Sequence, residues 1–87
     1  MKVMAIDYGD ARTGVAVSDA TGLLAGFATV VHGYRREAVA EEIARLAKAH
    51  GAERLVLGLP RNMDGSEGPR AQLCREFGAL LEETTGL

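Results

Sequence analysis

The chain has 87 residues, of which 47% are hydrophobic and 25% are charged. This length allows one compact domain, and the ordinary composition excludes collagen-like, low-complexity and intrinsically disordered classes. Twelve acidic residues against ten lysines and arginines give a formal charge of −2, so any binding of nucleic acid has to come from a local basic patch. The single cysteine, Cys74, excludes an internal disulfide and a multi-cysteine zinc site, and we expect it to be a small core residue.

The N-terminus carries a short apolar run. This run consists of the four residues 3–6 and ends at the charged Asp7. It is too short for a signal-peptide core or a membrane span. We therefore expect a cytoplasmic protein that does not associate with membranes.

Three strands are predicted in the first third of the chain. The apolar run within residues 2–8 stops at Gly9 and is typical of a strand buried on both faces. A tight connection leads to a second strand over residues 13–18, which suggests a hairpin. Turn residues then precede a third strand over 23–31, so the three strands should form a meander.

The rest of the chain predicts two helices around a fourth strand. Apolar positions at helical spacing predict a helix over 36–50, which Gly51 ends as a C-cap. The run 55–57 predicts a strand parallel to an earlier one, because it follows a helix. Pro69 is well placed in the first turn of a second amphipathic helix, which Gly86 ends. The order βββαβα predicts an α/β fold with a mixed sheet.

A carboxylate stands at the end of the first predicted strand. A charge at a buried strand terminus is costly unless it is paired, hydrogen-bonded or bound to a metal, and Gly9 and Gly14 would let a backbone or a phosphate approach Asp7 closely. This pattern suits a phosphate-and-metal site. The alternative is that Asp7 caps the hairpin by accepting backbone N–H bonds. Asp10, in the turn itself, is expected to be solvated.

The side chain of Arg12 follows this turn. Its planar set of donors favours oxyanions, so its partner could be Asp7, a phosphate oxygen or an acid elsewhere in the chain. The alternative is a surface ion pair that contributes little to stability.

A polar loop over residues 59–70 follows the fourth predicted strand. If that strand runs parallel to and beside the first, both loops open at one sheet edge, where ligands gather. Arg61 and Arg70 would then join Arg12 in a basic rim for phosphates, with Asn62 between them. The alternative is a helix-entry loop in which Ser66 is the N-cap.

The histidines and aromatic residues give weaker signals. His32 and His50 lie far apart and lack a third ligand pattern, so we interpret both as structural. The aromatic residues are two tyrosines and two phenylalanines, and they predict no stacking platform for bases.

Two segments together resemble the YqgF family of pre-16S ribosomal RNA nucleases. The first is Asp7-Tyr8-Gly9 with Arg12 and Gly14, and the second runs over 58–71 and includes Asn62-Met63-Asp64-Gly65-Ser66. The resemblance covers essentially the whole chain. Members of this family are similar to Holliday-junction resolvases and have a ribonuclease H-like fold, a five-stranded mixed sheet flanked by helices. That fold agrees with the order βββαβα.

The resemblance implies hydrolysis of phosphodiester bonds with Mg²⁺ or Mn²⁺, during maturation of the 5′ end of 16S ribosomal RNA. The substrate would be the ribosomal RNA precursor or branched DNA. Asp7 matches the first catalytic acid of the family and would be a metal ligand. Asp64 and Glu67 are additional candidate ligands from the neighbouring loop. The candidate substrate contacts belong to the two segments and are Gly9, Arg12, Arg61, Asn62, Ser66 and Arg70.

The other acidic residues of the family pattern would follow Leu87, on a fifth strand and a last helix. We therefore expect residues 1–87 to be one ribonuclease H-like domain that lacks this strand and helix and belongs to a longer protein. Its fourth strand would expose unpaired backbone groups, which predicts a homodimer through the sheet edge or aggregation.

Two other functions compete with the nuclease. The first is a catalytically silent nucleic-acid-binding or interaction module. The second is an ATPase similar to actin or sugar kinases, in which the hairpin at Asp7 and Gly9 would be the phosphate loop. That architecture needs two domains, and the length counts against it.

Overall fold

The computed structural model describes residues 2–18, 24–60 and 64–87, except for the side chains of 24–26. In chain order its elements are β1 (Val3–Asp7), β2 (Arg12–Ser18), β3 (Leu24–His32), α1 (Arg36–His50), β4 (Arg54–Leu57) and α2 (Pro69–Thr85). The predicted order βββαβα is confirmed, and each predicted strand end lies within one residue of the observed end.

The four strands form one mixed sheet in the order β3-β2-β1-β4. β2 is antiparallel to β1 and to β3, whereas β4 is parallel to β1, as predicted. Ile6 lies opposite Leu57, and the Gly58 N–H donates to the Ile6 carbonyl oxygen at 3.0 Å. The chain segments that follow β1 and β4 therefore leave the sheet at the same edge.

The hydrophobic core lies between one face of the sheet and the two helices. Alternate strand residues such as Met4 and Val15 point into it, while Ile43 comes from α1 and Phe77 from α2. Burial of each such side chain stabilises the fold by about 1.5–3 kcal/mol. Cys74 is buried on the same helix as Phe77, so its predicted place in the core is confirmed.

The opposite face of the sheet is uncovered, as far as the described residues go. Val56, Ala5, Ala16 and Ala28 are successive register partners across this face, and Val56 is 50% exposed. The expectation that β1 is buried on both faces is therefore wrong. Its residues are apolar on both sides, but Ala5 points away from the helices, and a short apolar run does not reveal which side is packed.

The ends of the helices follow from their glycines. Gly51 and Gly86 have left-handed backbones with φ of 69° and 76°, and both predicted C-caps are confirmed. The N-cap of α2 is Gly68, so the expectation for Ser66 at this position is wrong. The Ser66 backbone N–H and hydroxyl donate instead to Asp64 Oδ1, at 2.9 and 2.6 Å. Neither α1 nor α2 is long and apolar enough to cross a membrane.

Candidate functional site

Asp7 ends β1 with its side chain on the uncovered face. The neighbouring Ile6 points into the core, so the alternation of the strand turns Asp7 the other way. The residue is exposed, and its carboxylate makes no hydrogen bond or ion pair with any described residue. The expected burial of Asp7 is therefore wrong, and the alternative in which it caps the hairpin is not observed. An exposed carboxylate without partners is free to bind a ligand.

Small residues surround Asp7. Its register partner on β2 is Gly14, and a methyl group there would lie 3.8 Å from the Asp7 Cβ. An open groove of about 470 Å³ runs along this face, with small side chains as its floor. Among its lining residues Asp7 is the charged one; the others include Ala5, Gly14, Ala16, Val56 and Gly58. A ligand that lies across the face can thus reach the carboxylate without displacing a long side chain.

Gly9 shapes the turn after Asp7. A Cβ at this position would come well within 3.0 Å of the Arg12 carbonyl oxygen, closer than real Cβ atoms approach. The turn can therefore close tightly only with glycine. Its predicted contact with substrate stays a prediction.

Arg70 ties this turn to the first part of α2. Its Nη2 donates to the Tyr8 carbonyl oxygen at 2.8 Å, and its Nη1 donates to Asp10 Oδ1 at 2.5 Å. Its guanidinium carbon lies 5.4 Å from the centre of the Tyr8 ring, and that ring stacks on Phe77 with centroids 4.0 Å apart. The bond to Asp10 raises the pKa of Arg70 above its usual range, so the side chain stays charged. Arg70 therefore fixes the segment after Asp7, and its predicted phosphate contact stays a prediction.

Arg12 is exposed at the start of β2. Because the adjacent Thr13 is buried among the core residues, the Arg12 side chain shares the uncovered face with Asp7. Its register partner is His32 on β3. No described acidic residue pairs with Arg12, so the expected ion pair with Asp7 is not observed. The guanidinium keeps its donors for another oxyanion.

The loop before α2 is described only from residue 64 onward. Arg61 and Asn62 lie outside the described residues, so their predicted roles stay predictions. Asp64 accepts two hydrogen bonds from Ser66, and these lower the pKa of the Asp64 carboxyl. Glu67 accepts from Arg75 Nε at 2.8 Å and from Nη2 at 2.6 Å. Both carboxylates are engaged, and their proposed metal ligation stays a prediction.

A metal site built from protein alone would need several ligating side chains close together. In the described part of the chain, no three His, Cys, Asp or Glu side chains are grouped so that they could hold a metal ion. Asp7 therefore offers a single carboxylate, and any further ligands would be supplied by water, substrate or other residues.

Sequence reasoning missed one exposed ring. Tyr8 stacks on Phe77, and Phe27 stacks on His50 with centroids 4.1 Å apart, which gives that histidine the structural role predicted for it. Tyr34 is instead 83% exposed. The expectation that the aromatic residues form no stacking platform for bases stays a prediction, and the sequence did not single out this exposed ring. The available signal was its place in a strand-to-helix connection, directly before two arginines.

Three relatives named "Putative pre-16S rRNA nuclease" illustrate the sequence similarity. The protein from Heliobacterium modesticaldum is 45% identical over 83 residues, covering 95% of this chain and 56% of its own length. The relative from Carboxydothermus hydrogenoformans is 41% identical over 100% of this chain and 63% of its own. The Myxococcus xanthus relative is 44% identical, with 100% and 58% covered. The chain thus spans less than two thirds of the length of these relatives.

Solved structures show a similar fold. A crystal structure of the Ppx/GppA family member from Aquifex aeolicus superposes with a TM-score of 0.61 at 17% sequence identity. The superposition covers all of this chain and 33% of that protein. At this identity the similarity concerns the fold alone.

The family assignment rests on the whole chain. The family model described as "RuvX: Holliday junction resolvase" matches residues 1–87. RuvX and YqgF are two names of this family, so the resemblance to the YqgF family that the two sequence segments predicted is confirmed. This chain belongs to the RuvX family of Holliday junction resolvases.

Proposed function

We propose that this chain carries a metal-binding acid of a nuclease that hydrolyses phosphodiester bonds in the precursor of 16S ribosomal RNA. The names of its relatives support this substrate and reaction. The observation that carries the proposal is the Asp7 carboxylate, which is exposed on the uncovered face, has no partner among the described residues and lies next to Gly14.

The fold belongs to the same proposal. The mixed sheet and its order support a ribonuclease H-like domain. We propose that residues 1–87 form most of that domain, and that a further strand and helix complete it in the longer protein. A fifth strand beside β4 would pair the outer backbone groups of that strand, which in the described sheet pairs only with β1.

Asp7 suits a hard divalent cation. Carboxylate oxygens are preferred ligands of Mg²⁺, which proteins commonly hold with one or two carboxylates plus water and substrate phosphates. The free carboxylate of Asp7 and the missing side chain at Gly14 leave room for such an ion and a phosphate together. When bound, Mg²⁺ or Mn²⁺ supplies Lewis-acid activation of the phosphate and of a water nucleophile.

The remaining residues orient the substrate and the turn. Arg12, which lies on the same face as Asp7 and pairs with no acid in the described part of the chain, would hold a phosphate oxygen and favour the negative charge that develops on it. Arg70 holds the Tyr8 backbone next to Asp7, so the carboxylate stays in place when a ligand binds. Gly9, Arg61, Asn62 and Ser66 are proposed as further contacts.

Cleavage of a 16S precursor fragment in Mg²⁺ tests this function. The assay uses this chain alone and the chain extended by the C-terminal segment of the Heliobacterium relative. Asp7→Asn should lower cleavage at least about a hundredfold, because an ion at a reacting phosphate contributes several kcal/mol. Asp10→Asn is the matched control on the same turn, and it should stay within about threefold.

Other outcomes contradict the nuclease. If Asp7→Asn cleaves the RNA as fast as the wild type, the proposed role of this carboxylate is refuted. Binding without cleavage by both lengths would favour the silent module, and ATP turnover without RNA would favour the kinase-like ATPase.

Two expectations about the state of the protein remain proposals. We propose a cytoplasmic location for the protein and, for residues 1–87 without the fifth strand, a homodimer that pairs the outer edges of β4. Sedimentation of the chain at increasing concentration tests the dimer. Val56→Lys should reduce dimer formation, because Val56 is 50% exposed on this strand and a lysine on an edge strand opposes edge-to-edge pairing.

A further inference from the structure

Tyr34 presents an aromatic ring to solvent beside the candidate site. It lies between β3 and α1 and is 83% exposed, whereas the three other aromatic rings take part in stacked contacts within the fold. Stacking a ligand on such a ring would remove apolar surface from contact with water, which favours binding. An exposed ring can stack on any of the bases, since every base has a π face.

Two arginines without ion pairs flank this ring. Arg35 follows it in the chain, and Arg12 is held nearby by the sheet: the Gly33 N–H donates to the Ala11 carbonyl oxygen at 3.0 Å. Within the described ranges, neither Arg12 nor Arg35 forms an ion pair. In contrast, Arg36 contacts Glu76 at 3.3 Å.

The charge balance at this edge favours an anionic ligand. His32 is the register partner of Arg12, and no acidic residue occurs between Ala20 and Arg36. The first turns of α1 carry Glu37, Glu41 and Glu42, of which Glu42 is bonded to Arg45. The positive charge of Arg12 and Arg35 is therefore available to phosphates.

The uncovered face connects this edge to Asp7. Asp7 lies opposite Gly14, and Arg12 lies two residues from Gly14 along β2, a rise of about 7 Å. On the other side of β2, the register partner of Gly14 is Val30 on β3. This strand continues to His32, and Tyr34 follows it in the chain. A nucleotide chain whose scissile phosphate lies at Asp7 can follow this path over Gly14 and Val30 towards Tyr34.

We propose that Tyr34, Arg12 and Arg35 form a subsite for single-stranded RNA next to the scissile phosphodiester bond. The ring of Tyr34 stacks on an unpaired base, and the two guanidinium groups hold the flanking phosphates. Recognition is independent of sequence, since stacking and phosphate contacts do not read base edges. This subsite deepens the proposed nuclease function and rests on it for the identity of its ligand.

Binding of a fluorescein-labelled 12-nucleotide oligouridylate, measured by anisotropy on this chain, tests the subsite. Tyr34→Ala should weaken binding about fivefold to a hundredfold, the range of a lost base stack, whereas Tyr34→Phe should stay within about twofold because the ring remains. Arg35→Gln should reduce the slope of log affinity against log salt by about 0.7, as expected for one phosphate contact on a single strand.

Controls separate stacking from general charge and from folding. Arg54 is exposed at the opposite end of the sheet, opposite Val3, so Arg54→Gln should change neither affinity nor salt slope. An RNA duplex has no free base faces, so Tyr34→Ala should leave its binding unchanged. Circular dichroism of each variant should match the wild type. Equal oligouridylate binding by Tyr34→Ala, or an equal loss with the duplex, would overturn the subsite.

The test distinguishes this subsite from the proposed function. In buffer without divalent metal, Asp7→Asn should bind oligouridylate through Tyr34 within about twofold of the wild type, whereas its cleavage of RNA in Mg²⁺ is lost. If the chain binds through Tyr34 but the extended chain never cleaves RNA, the nuclease proposal fails and the subsite stands. If cleavage depends on Asp7 but Tyr34→Ala changes neither binding nor KM, the subsite fails and the nuclease stands.

Discussion

Replacing Gly9 by alanine tests how tightly the turn beside Asp7 is closed. The new Cβ would come well within 3.0 Å of the Arg12 carbonyl oxygen, and this oxygen belongs to the backbone, so no rotamer change relieves the clash. Such overpacking costs about 1–3 kcal/mol. The lower entropy of the unfolded alanine variant offsets about 0.4–1 kcal/mol. We expect a net loss of about 1–2 kcal/mol.

This loss is large for so small a domain. At about 0.05–0.15 kcal/mol per residue, the total free energy of unfolding is about 4–13 kcal/mol. A loss of about 1–2 kcal/mol then lowers Tm by about 4–16 °C, since each kcal/mol corresponds to about 4–8 °C in domains of this size. Urea denaturation followed by circular dichroism measures the free energy directly.

Gly14→Ala is the matched control on the same hairpin. Its Cβ would lie 3.8 Å from the Asp7 Cβ, which is an ordinary contact, and alanine is favoured over glycine within a strand by about 0.5–1 kcal/mol. We expect Gly14→Ala to be as stable as the wild type or more stable. Equal stability of the two alanine variants would refute the steric explanation of Gly9.

Three further predictions concern single contacts. Thr13 is 0% exposed and its hydroxyl has no hydrogen-bond partner among residues 2–18, 24–60 and 64–87. Thr13→Val should therefore raise the free energy of unfolding in urea by about 1 kcal/mol or more, and a lower free energy would contradict this explanation. Arg70→Met should lower the free energy of unfolding by about 1 kcal/mol, and by more than Asp10→Ala. Both variants remove the exposed ion pair, but only Arg70→Met also removes the hydrogen bond to the Tyr8 carbonyl. Equal losses would assign the whole effect to the ion pair. In an NMR titration the pKa of Asp64 should lie below its ordinary value, and it should rise in Ser66→Ala. The hydrogen bonds from Ser66 to the ionised Asp64 should stabilise the fold above the unfolded pKa, and this contribution should be lost as the pH falls through the folded pKa.

The element order could be predicted because each element carries its own local signal. The helical spacing in α1, the proline at the start of α2 and the glycines after both helices are sequence features that determine structure locally. The parallel pairing of β4 followed from its position after a helix. The position of Asp7 at the same edge as the loop after β4 was predicted on the same basis.

Features that depend on tertiary packing could not be predicted. The apolar pattern of β1 does not say which face the helices cover, so the exposure of Asp7 was missed. The role of Arg70 depends on a contact with Asp10 that spans 60 residues, and its guanidinium was equally suited to a phosphate. The exposure of Tyr34 depends on where α1 begins relative to β3. Each of these features is set by long-range contacts rather than by spacing.

The central claim is that the carboxylate of Asp7 binds the catalytic cation directly. Substitution by a thiolate ligand changes the preference of such a site from hard to soft cations, so Asp7→Cys tests direct ligation. We predict that Asp7→Cys, in the extended chain, fails to cleave 16S precursor RNA in Mg²⁺ and regains cleavage when Cd²⁺ is added, while Asp7→Ala stays inactive with both ions. Full Mg²⁺-dependent cleavage by Asp7→Cys and Asp7→Ala would contradict the claim.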